Sequence, residues 1–151
     1  MKNLLSLFPI TLVSLIVGCS DQVTMIPNAD GQLNKSADRF IAEAQACFPY
    51  PADAVRGGEI AARANIGYMY NQISLTNFSG SEWIGPIIWV NQSYAVPMEK
   101  IASGGITRIS FKMIYNEAGQ RFPLSNKQVR VETLEVFVDG KMYDLPFEIA
   151  P

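Results

Sequence analysis

The sequence predicts a mainly β domain, an antiparallel β-sandwich of about six to eight strands that follows one N-terminal amphipathic helix. Several short segments after residue 64 alternate apolar and polar residues, which is the side-chain period of a half-buried strand. Gly, Pro and Asn separate these segments and supply the turns between them. Short strands with frequent turn signals are typical of a β-sandwich.

One helix is predicted before the strands. Its apolar residues recur at the spacing of one helix face: Ala37, Phe40, Ile41, Ala44 and Phe48. Ser36 or Asn34 can cap its start, because a side-chain oxygen there accepts a hydrogen bond from a free backbone N–H. Pro49 and Pro51 end the segment, since proline interrupts the hydrogen bonding of a helix.

Local signals mark the strand ends. The parity of the apolar residues changes near residue 71, which predicts a bulge or bend at Asn71-Gln72. A strand is also predicted over residues 109–115. Asp139-Gly140 predicts a tight hairpin, because both residues tolerate positive φ. Asn91-Gln92 predicts a second hairpin for the same reason.

Three short pieces of the chain resemble small Ig-like domains of bacterial envelope proteins. They are Leu75-Thr76-Asn77-Phe78, Val90-Asn91 and Gly104-Gly105 ahead of a strand. The resemblance implies an Ig-like β-sandwich and carries no functional residues. The Cys and Trp pattern of antibody domains is missing.

The N-terminus predicts a secretory signal peptide over residues 1–18. Met1-Lys2-Asn3 is a short positive start, and residues 4–18 are uncharged and mostly apolar. A transmembrane helix needs about 20 apolar residues, and Pro9 interrupts this segment. A removed signal is therefore favoured over a permanent membrane span.

The sequence Ile16-Val17-Gly18-Cys19 resembles the lipobox of bacterial lipoproteins. The resemblance implies that Cys19 receives a diacylglyceryl thioether, that cleavage occurs before it, and that its new amine is often acylated with a fatty acid such as palmitate. The alternative is an ordinary signal peptide with a chance cysteine. A lipidated Cys19 would anchor the protein to a membrane.

If Cys19 is the lipid anchor, the mature chain consists of two parts, a tether and a domain. Residues 19–34 have no apolar period and predict a flexible tether, and residues 35–151 form the helix and β-sandwich domain. In enterobacterial lipoproteins, an Asp directly after the cysteine favours the inner membrane. Ser20 holds that place here, so the outer membrane of the cell envelope is favoured.

Composition excludes several functions. Twelve basic and 14 acidic residues give a net charge of −2, and no Lys/Arg-rich block suggests nucleic-acid binding. The absence of histidine removes the commonest general base. Zinc and iron–sulfur sites lack ligands, so we expect no metal and no cofactor. Glu132 and Glu135 are expected on opposite faces of a strand, exposed to solvent, and no catalytic residue is proposed.

Aromatic residues are the remaining candidates for a binding site: Phe78, Trp83 and Tyr94. Polar and turn-forming neighbours predict a partly exposed Trp83, whereas Trp89 lies in an apolar run and is expected in the core. Cys47 is expected to be a buried small side chain, with an intermolecular disulfide as the alternative.

These observations leave three functional hypotheses. The first is a non-enzymatic envelope lipoprotein that binds another protein as an accessory or docking subunit. The second is a tethered carbohydrate-binding module, which an exposed coplanar row of aromatic rings would favour. The third is a glycan-active enzyme that uses a pair of carboxylates in a cleft.

Overall fold

The computed structural model of the protein describes residues 35–151, so the predicted signal peptide, Cys19 and the tether lie outside the described residues. The described part is mainly β, with one α-helix, eleven strands and a 3-10 helix. These are α1 (Ala37–Gln45), β1 (Val55–Glu59), β2 (Ala62–Gly67), β3 (Gln72–Asn77), β4 (Trp83–Ile84), β5 (Ile87–Val90), β6 (Tyr94–Pro97), β7 (Lys100–Ile101), β8 (Ile106–Ser110), the 3-10 helix (Phe111–Met113), β9 (Leu134–Val138), β10 (Lys141–Asp144) and β11 (Phe147–Ile149). Neither helix in this part is long and apolar enough to cross a membrane.

The helix α1 begins directly after Ser36, whose side-chain oxygen accepts a hydrogen bond from the backbone N–H of Arg39 at 3.3 Å. Phe40 and Ala44 are its buried residues. They hold the helix against β6 and the 3-10 helix. The helix therefore lies along one edge of the β-structure.

The strands form two larger sheets and one two-stranded sheet. The five-stranded sheet has the order β1-β10-β9-β5-β6, the four-stranded sheet has the order β11-β2-β3-β8, and β4 pairs with β7. Most neighbours are antiparallel, as predicted. The pairs β1/β10 and β11/β2 are parallel, which differs from the predicted antiparallel sandwich.

The two parallel pairs arise because the chain changes sheets twice at the same place. Residues 60–61 lead from β1 to β2, and residues 145–146 lead from β10 to β11. The crossings lie side by side: the N–H of Ile60 donates to the carbonyl of Asp144 at 3.0 Å, and the N–H of Ala64 donates to that of Pro146 at 2.9 Å. Each crossing joins a strand of the five-stranded sheet to a strand of the four-stranded sheet. The eleven strands exceed the predicted six to eight, and they include the two-residue strands β4 and β7 of the separate small sheet.

Side chains from both larger sheets meet in one main core. The four-stranded sheet contributes Ile66, Ile73, Leu75 and Ile109, and the five-stranded sheet contributes Ile88, Val90, Val96, Leu134 and Val136. The opposite face of the five-stranded sheet carries a second, smaller core of Trp89, Ala95 and Met142. Residues of β5 thus pack on both faces of their sheet, and the prediction of a buried Trp89 is confirmed.

Both predicted hairpins are confirmed. Asn91 and Gln92 have φ of 52° and 55° between β5 and β6, and Asp139 and Gly140 have φ of 51° and 74° between β9 and β10. At Asn71-Gln72, where the sequence predicts a bulge or bend, the chain reverses direction: Asn71 has φ of 53° and ends a turn that joins the separate strands β2 and β3. The strand predicted over residues 109–115 ends at Ser110, whose side chain caps the 3-10 helix.

Candidate binding groove

A strap of chain, residues 46–54, covers the outer face of the five-stranded sheet. It leaves α1 beside β6 at one edge of the sheet and reaches β1 at the other edge. The rings of Phe48 and Tyr50 pack edge-on against Trp89, with ring centroids 5.0 and 5.1 Å away. The second core therefore lies between the sheet and the strap.

A buried carboxylate anchors the strap to the sheet. Glu135 lies on β9 directly opposite Trp89 and is only 4% exposed. Its two oxygens lie 2.9 and 3.1 Å from the hydroxyl of Tyr50, which donates to them. The guanidinium of Arg56 forms an ion pair with the same carboxylate and donates to the Tyr50 oxygen at 2.9 Å. The positive charge compensates the buried negative charge, which would be costly alone.

In this triad of Tyr50, Arg56 and Glu135, the tyrosine and the arginine hold their protons firmly. Burial, followed by the hydrogen bond to Glu135, raises the pKa of Tyr50 above its ordinary value. The hydrogen bond to Glu135 is also the main cause of the raised pKa of Arg56. Tyr50 therefore stays neutral and Arg56 stays charged, so the triad is suited to positioning the strap rather than to transferring protons.

The strap forms one wall of a groove of about 650 Å³. Phe48 and Tyr50 line this wall, and Tyr94 lines the facing side at the start of β6. Exposed polar residues complete the rim: Gln92 and Ser93 in the β5–β6 turn, and Glu117 in the loop after the 3-10 helix. An aromatic interior with a polar rim is the usual composition of a binding site.

Hydrogen bonds fix the loops around this groove. The side chain of Asn91 donates to the carbonyl of Arg130 at 2.7 Å and accepts from the N–H groups of Glu132 and Thr133 at 2.7 and 3.1 Å. On the other side, Gln45 donates to the carbonyl of Glu117 at 3.0 Å. The groove is therefore largely preformed, which lowers the entropic cost of binding.

Of the residues predicted for binding, Tyr94 lies in the groove and the other two lie elsewhere. Tyr94 is half-buried and packs edge-on against Phe122 at 5.2 Å. Phe78 is 62% exposed in the loop that follows β3. The three residues therefore do not form one surface.

The predicted partial exposure of Trp83 is wrong, because this ring is only 3% exposed. Its indole N–H donates to the hydroxyl of Ser79 at 3.0 Å. Asn77 organises the loop that supplies this hydroxyl: its side chain donates to the carbonyl of Ser81 at 2.8 Å and accepts from the N–H of Ser79 at 2.9 Å. The polar neighbours of Trp83 therefore form hydrogen bonds within the loop and to the indole, and the ring itself is buried.

The structure also corrects the expectation for the carboxylates. Glu132 is exposed as expected, but Glu135 is buried under the strap. Sequence reasoning missed Phe48, Tyr50 and Arg56, because Phe48 was predicted only as part of the helix and Tyr50 lies between the two prolines that end it. The one available signal was the alternation of two aromatic residues with two prolines in Phe48-Pro49-Tyr50-Pro51, which is unusual for a solvent-exposed connection.

Cys47 is half-buried at the start of the strap. Its thiol donates to the carbonyl of Glu43 at 3.3 Å, and burial together with the charge of Glu43 raises its pKa. Residues 35–151 contain no cluster of three His, Cys, Asp or Glu side chains arranged to hold a metal ion. No protein-family model, curated protein or solved structure matches the chain.

Proposed function

We propose that this protein is a non-enzymatic lipoprotein of the bacterial cell envelope whose domain binds another protein in the groove beside the strap. The observation that carries the proposal is the groove itself: Phe48, Tyr50 and Tyr94 are held in place by packing and hydrogen bonds, and exposed polar side chains surround them. Preorganised aromatic residues inside a polar rim are typical of binding hot spots.

The strand pairing supports an Ig-like sandwich for this domain. In Ig folds, strands B and E pair in one sheet, and strands G, F, C and C′ are neighbours in the other. The pair β3/β8 and the order β10-β9-β5-β6 follow the same chain order and the same pairing. The Gln92 turn then corresponds to the C–C′ connection, and such connections commonly carry binding residues.

The arrangement of the rings favours a protein partner over a glycan. Phe48 and Tyr50 pack on Trp89, whereas Tyr94 packs on Phe122. The aromatic residues of the groove therefore belong to two separate clusters and not to one platform. An apolar side chain of a partner fits between such clusters, and its backbone can bond to the rim.

Glu135 argues against the third hypothesis, a carboxylate-based enzyme. A catalytic carboxylate must reach a substrate or a water molecule. Both oxygens of Glu135 are occupied by Tyr50 and Arg56, and its side chain is buried. The carboxylate therefore supports the strap.

A photo-crosslinking residue at Gln92, used in intact cells, tests the groove. We expect a crosslinked product of defined mass at this site and none from the same residue at Asn65, which is exposed on the four-stranded sheet. Glu117→Lys should weaken the product at least about tenfold, as expected for a charge placed in an interface. Glu99→Lys is the matched control, because Glu99 is exposed outside the groove. Equal products at Gln92 and Asn65 would reject the groove, and retention on polysaccharide without any protein product would favour the carbohydrate-binding alternative.

The lipid anchor on Cys19 has its own test. Cys19→Ala should abolish palmitate labelling and leave an unprocessed or mislocalised protein, because the thiol is the acceptor of the lipid. The measurement is metabolic labelling followed by fractionation of inner and outer membranes. Persistent labelling in the variant would contradict the lipoprotein assignment.

A further inference from the structure

The turn between β2 and β3 carries two large side chains that the fold leaves in solvent. Met69 is 81% exposed and Tyr70 is 72% exposed, the highest values among the large apolar side chains of residues 35–151. Their neighbour Tyr68 is structural, since its hydroxyl accepts from the N–H of Val131 at 2.8 Å and its ring stacks on Phe111. Met69 and Tyr70 therefore form an exposed apolar tip on a firmly held turn.

Basic side chains flank this tip. Lys112 and Tyr70 line the same small pocket of about 140 Å³, and the guanidinium of Arg130 lies 4.8 Å from the centre of the Tyr68 ring. Within residues 35–151, neither cation belongs to an ion pair.

The charge of the tip belongs to a wider segregation of charge along the chain. Residues 106–131 contain one acidic side chain, Glu117, and five basic ones: Arg108, Lys112, Arg121, Lys127 and Arg130. This segment supplies β8, the 3-10 helix and the loop that follows it. Basic side chains therefore outnumber acidic ones in this segment, although the whole chain has a net charge of −2.

We propose that the tip docks on an anionic phospholipid surface. Tyr and Met suit the boundary between headgroups and acyl chains, because each combines an apolar body with a polar or polarisable atom. Lys112 and Arg130 are placed to meet lipid phosphates, and cations beside an apolar tip are attracted to anionic headgroups. A tip that is apolar and basic matches such a surface in both respects.

The proposed anchor on Cys19 makes a lipid surface the favoured occupant over a soluble protein. The 16 residues from Cys19 to Asn34, fully extended, can span at most roughly 55 Å. The domain would therefore remain close to lipid at all times, and a weak second contact would be sufficient to orient it.

Fluorescence quenching on vesicles tests the contact. A fluorophore is attached at Met69→Cys in a Cys47→Ala background of the full chain, and the vesicles contain phosphatidylcholine with a headgroup nitroxide, with or without phosphatidylglycerol. We expect strong quenching at position 69 on the anionic vesicles and little on the neutral ones. A fluorophore at Phe78→Cys, on an exposed loop elsewhere, should stay unquenched on both, and the Cys47→Ala parent measures any labelling of Cys19.

Charge reversal supplies the matched comparison. Lys112→Glu should reduce the quenching at position 69 about threefold or more, whereas Lys141→Glu, an exposed cation on the β9–β10 hairpin, should leave it unchanged. Equal quenching at positions 69 and 78, or quenching that ignores phosphatidylglycerol, would overturn the proposal. Quenching in native membranes supplemented with the same nitroxide lipid, together with no quenching on pure lipid vesicles, would overturn it in favour of a protein contact.

Failure of the anchor is distinguishable from failure of the docking. If the full chain does not float with neutral vesicles, it carries no lipid, and the proposed anchor on Cys19 is rejected. The docking proposal still predicts that such a chain binds anionic vesicles, and that high salt weakens the binding.

Discussion

The two tryptophans are both buried, but they belong to regions built in different ways. Trp83 belongs to the main core, to which both larger sheets contribute side chains, and Ser79 satisfies its indole N–H. Trp89 lies in the second core, between one sheet and the strap, and its N–H has no hydrogen-bond partner among the described residues. Many strands and α1 contribute side chains to the main core, whereas the second core is covered only by the strap.

This difference shows how the fold supports its candidate groove. The strap has few apolar contacts beyond Phe48 and Tyr50, so its position depends on the polar anchor of Tyr50, Arg56 and Glu135. The same strap forms one wall of the groove. The region that we propose for binding is therefore the region whose stability is most concentrated in a few contacts.

Removing either indole ring should have the largest effect on the stability of the domain. We expect Trp83→Ala and Trp89→Ala each to lower the free energy of unfolding by about 3–5 kcal/mol, because each leaves a large cavity. Urea denaturation followed by circular dichroism measures both. A loss below about 1 kcal/mol for Trp83→Ala would contradict its burial and restore the exposed ring that the sequence predicts.

The sequence predicts the elements that depend on near neighbours. The hairpins at Asn91-Gln92 and Asp139-Gly140 follow from residues that tolerate positive φ, and the burial of Trp89 follows from its apolar run. These signals lie within a few residues of the feature that they determine. The mainly β class is predictable because it also follows from such local signals. The two sheet crossings are not predictable, because each is defined by a parallel pairing with a strand that is distant in the sequence.

The triad under the strap could not be predicted for the same reason. Glu135 is 85 residues from Tyr50 and 79 residues from Arg56 in the chain. No local pattern indicates that these side chains meet. The basic segment over residues 106–131 was missed because its cations are spaced three to nine residues apart, so it contains no contiguous Lys/Arg block.

Breaking the polar anchor should have the next largest effect. Arg56→Met leaves the buried carboxylate of Glu135 without its positive partner, and we expect the free energy of unfolding to fall by about 2 kcal/mol. The expected loss is smaller than for a fully buried pair, because the side chain of Arg56 is partly exposed to solvent. The matched control is Arg63→Met, which breaks the exposed pair with Glu148 and should cost less than about 0.5 kcal/mol. Equal losses from the two variants would show that the strap does not depend on the anchor.

Replacing the indole rings by phenylalanine separates the two regions more finely. Trp83→Phe removes the hydrogen bond to Ser79, whereas Trp89→Phe removes an N–H without a partner within the described residues. We expect Trp83→Phe to be the more destabilising variant by about 1 kcal/mol. Denaturant midpoints at matched m-values decide between them. The opposite order would indicate that the Trp89 N–H is satisfied in solution.

The smallest expected effect is the dependence of the strap on alkaline pH. The pKa of Tyr50 is raised in the folded state, mainly by burial and then by Glu135, above its ordinary value of 10.0. The folded chain therefore holds this proton more tightly than the unfolded chain, and stability from this group is fully present below about pH 10 and declines as the pH rises through the folded pKa. Tyr50→Phe has no proton to lose, so its unfolding free energy should fall less steeply between pH 9 and about pH 11.

Tyr70→Phe is the control. The exposed Tyr70 does not touch the anchor, so this variant should show the same dependence of unfolding free energy on pH as the parent protein. If Tyr50→Phe and Tyr70→Phe have the same slope, Tyr50 does not carry the coupling between strap and sheet, and the groove wall must be held by Phe48 and Arg56 instead.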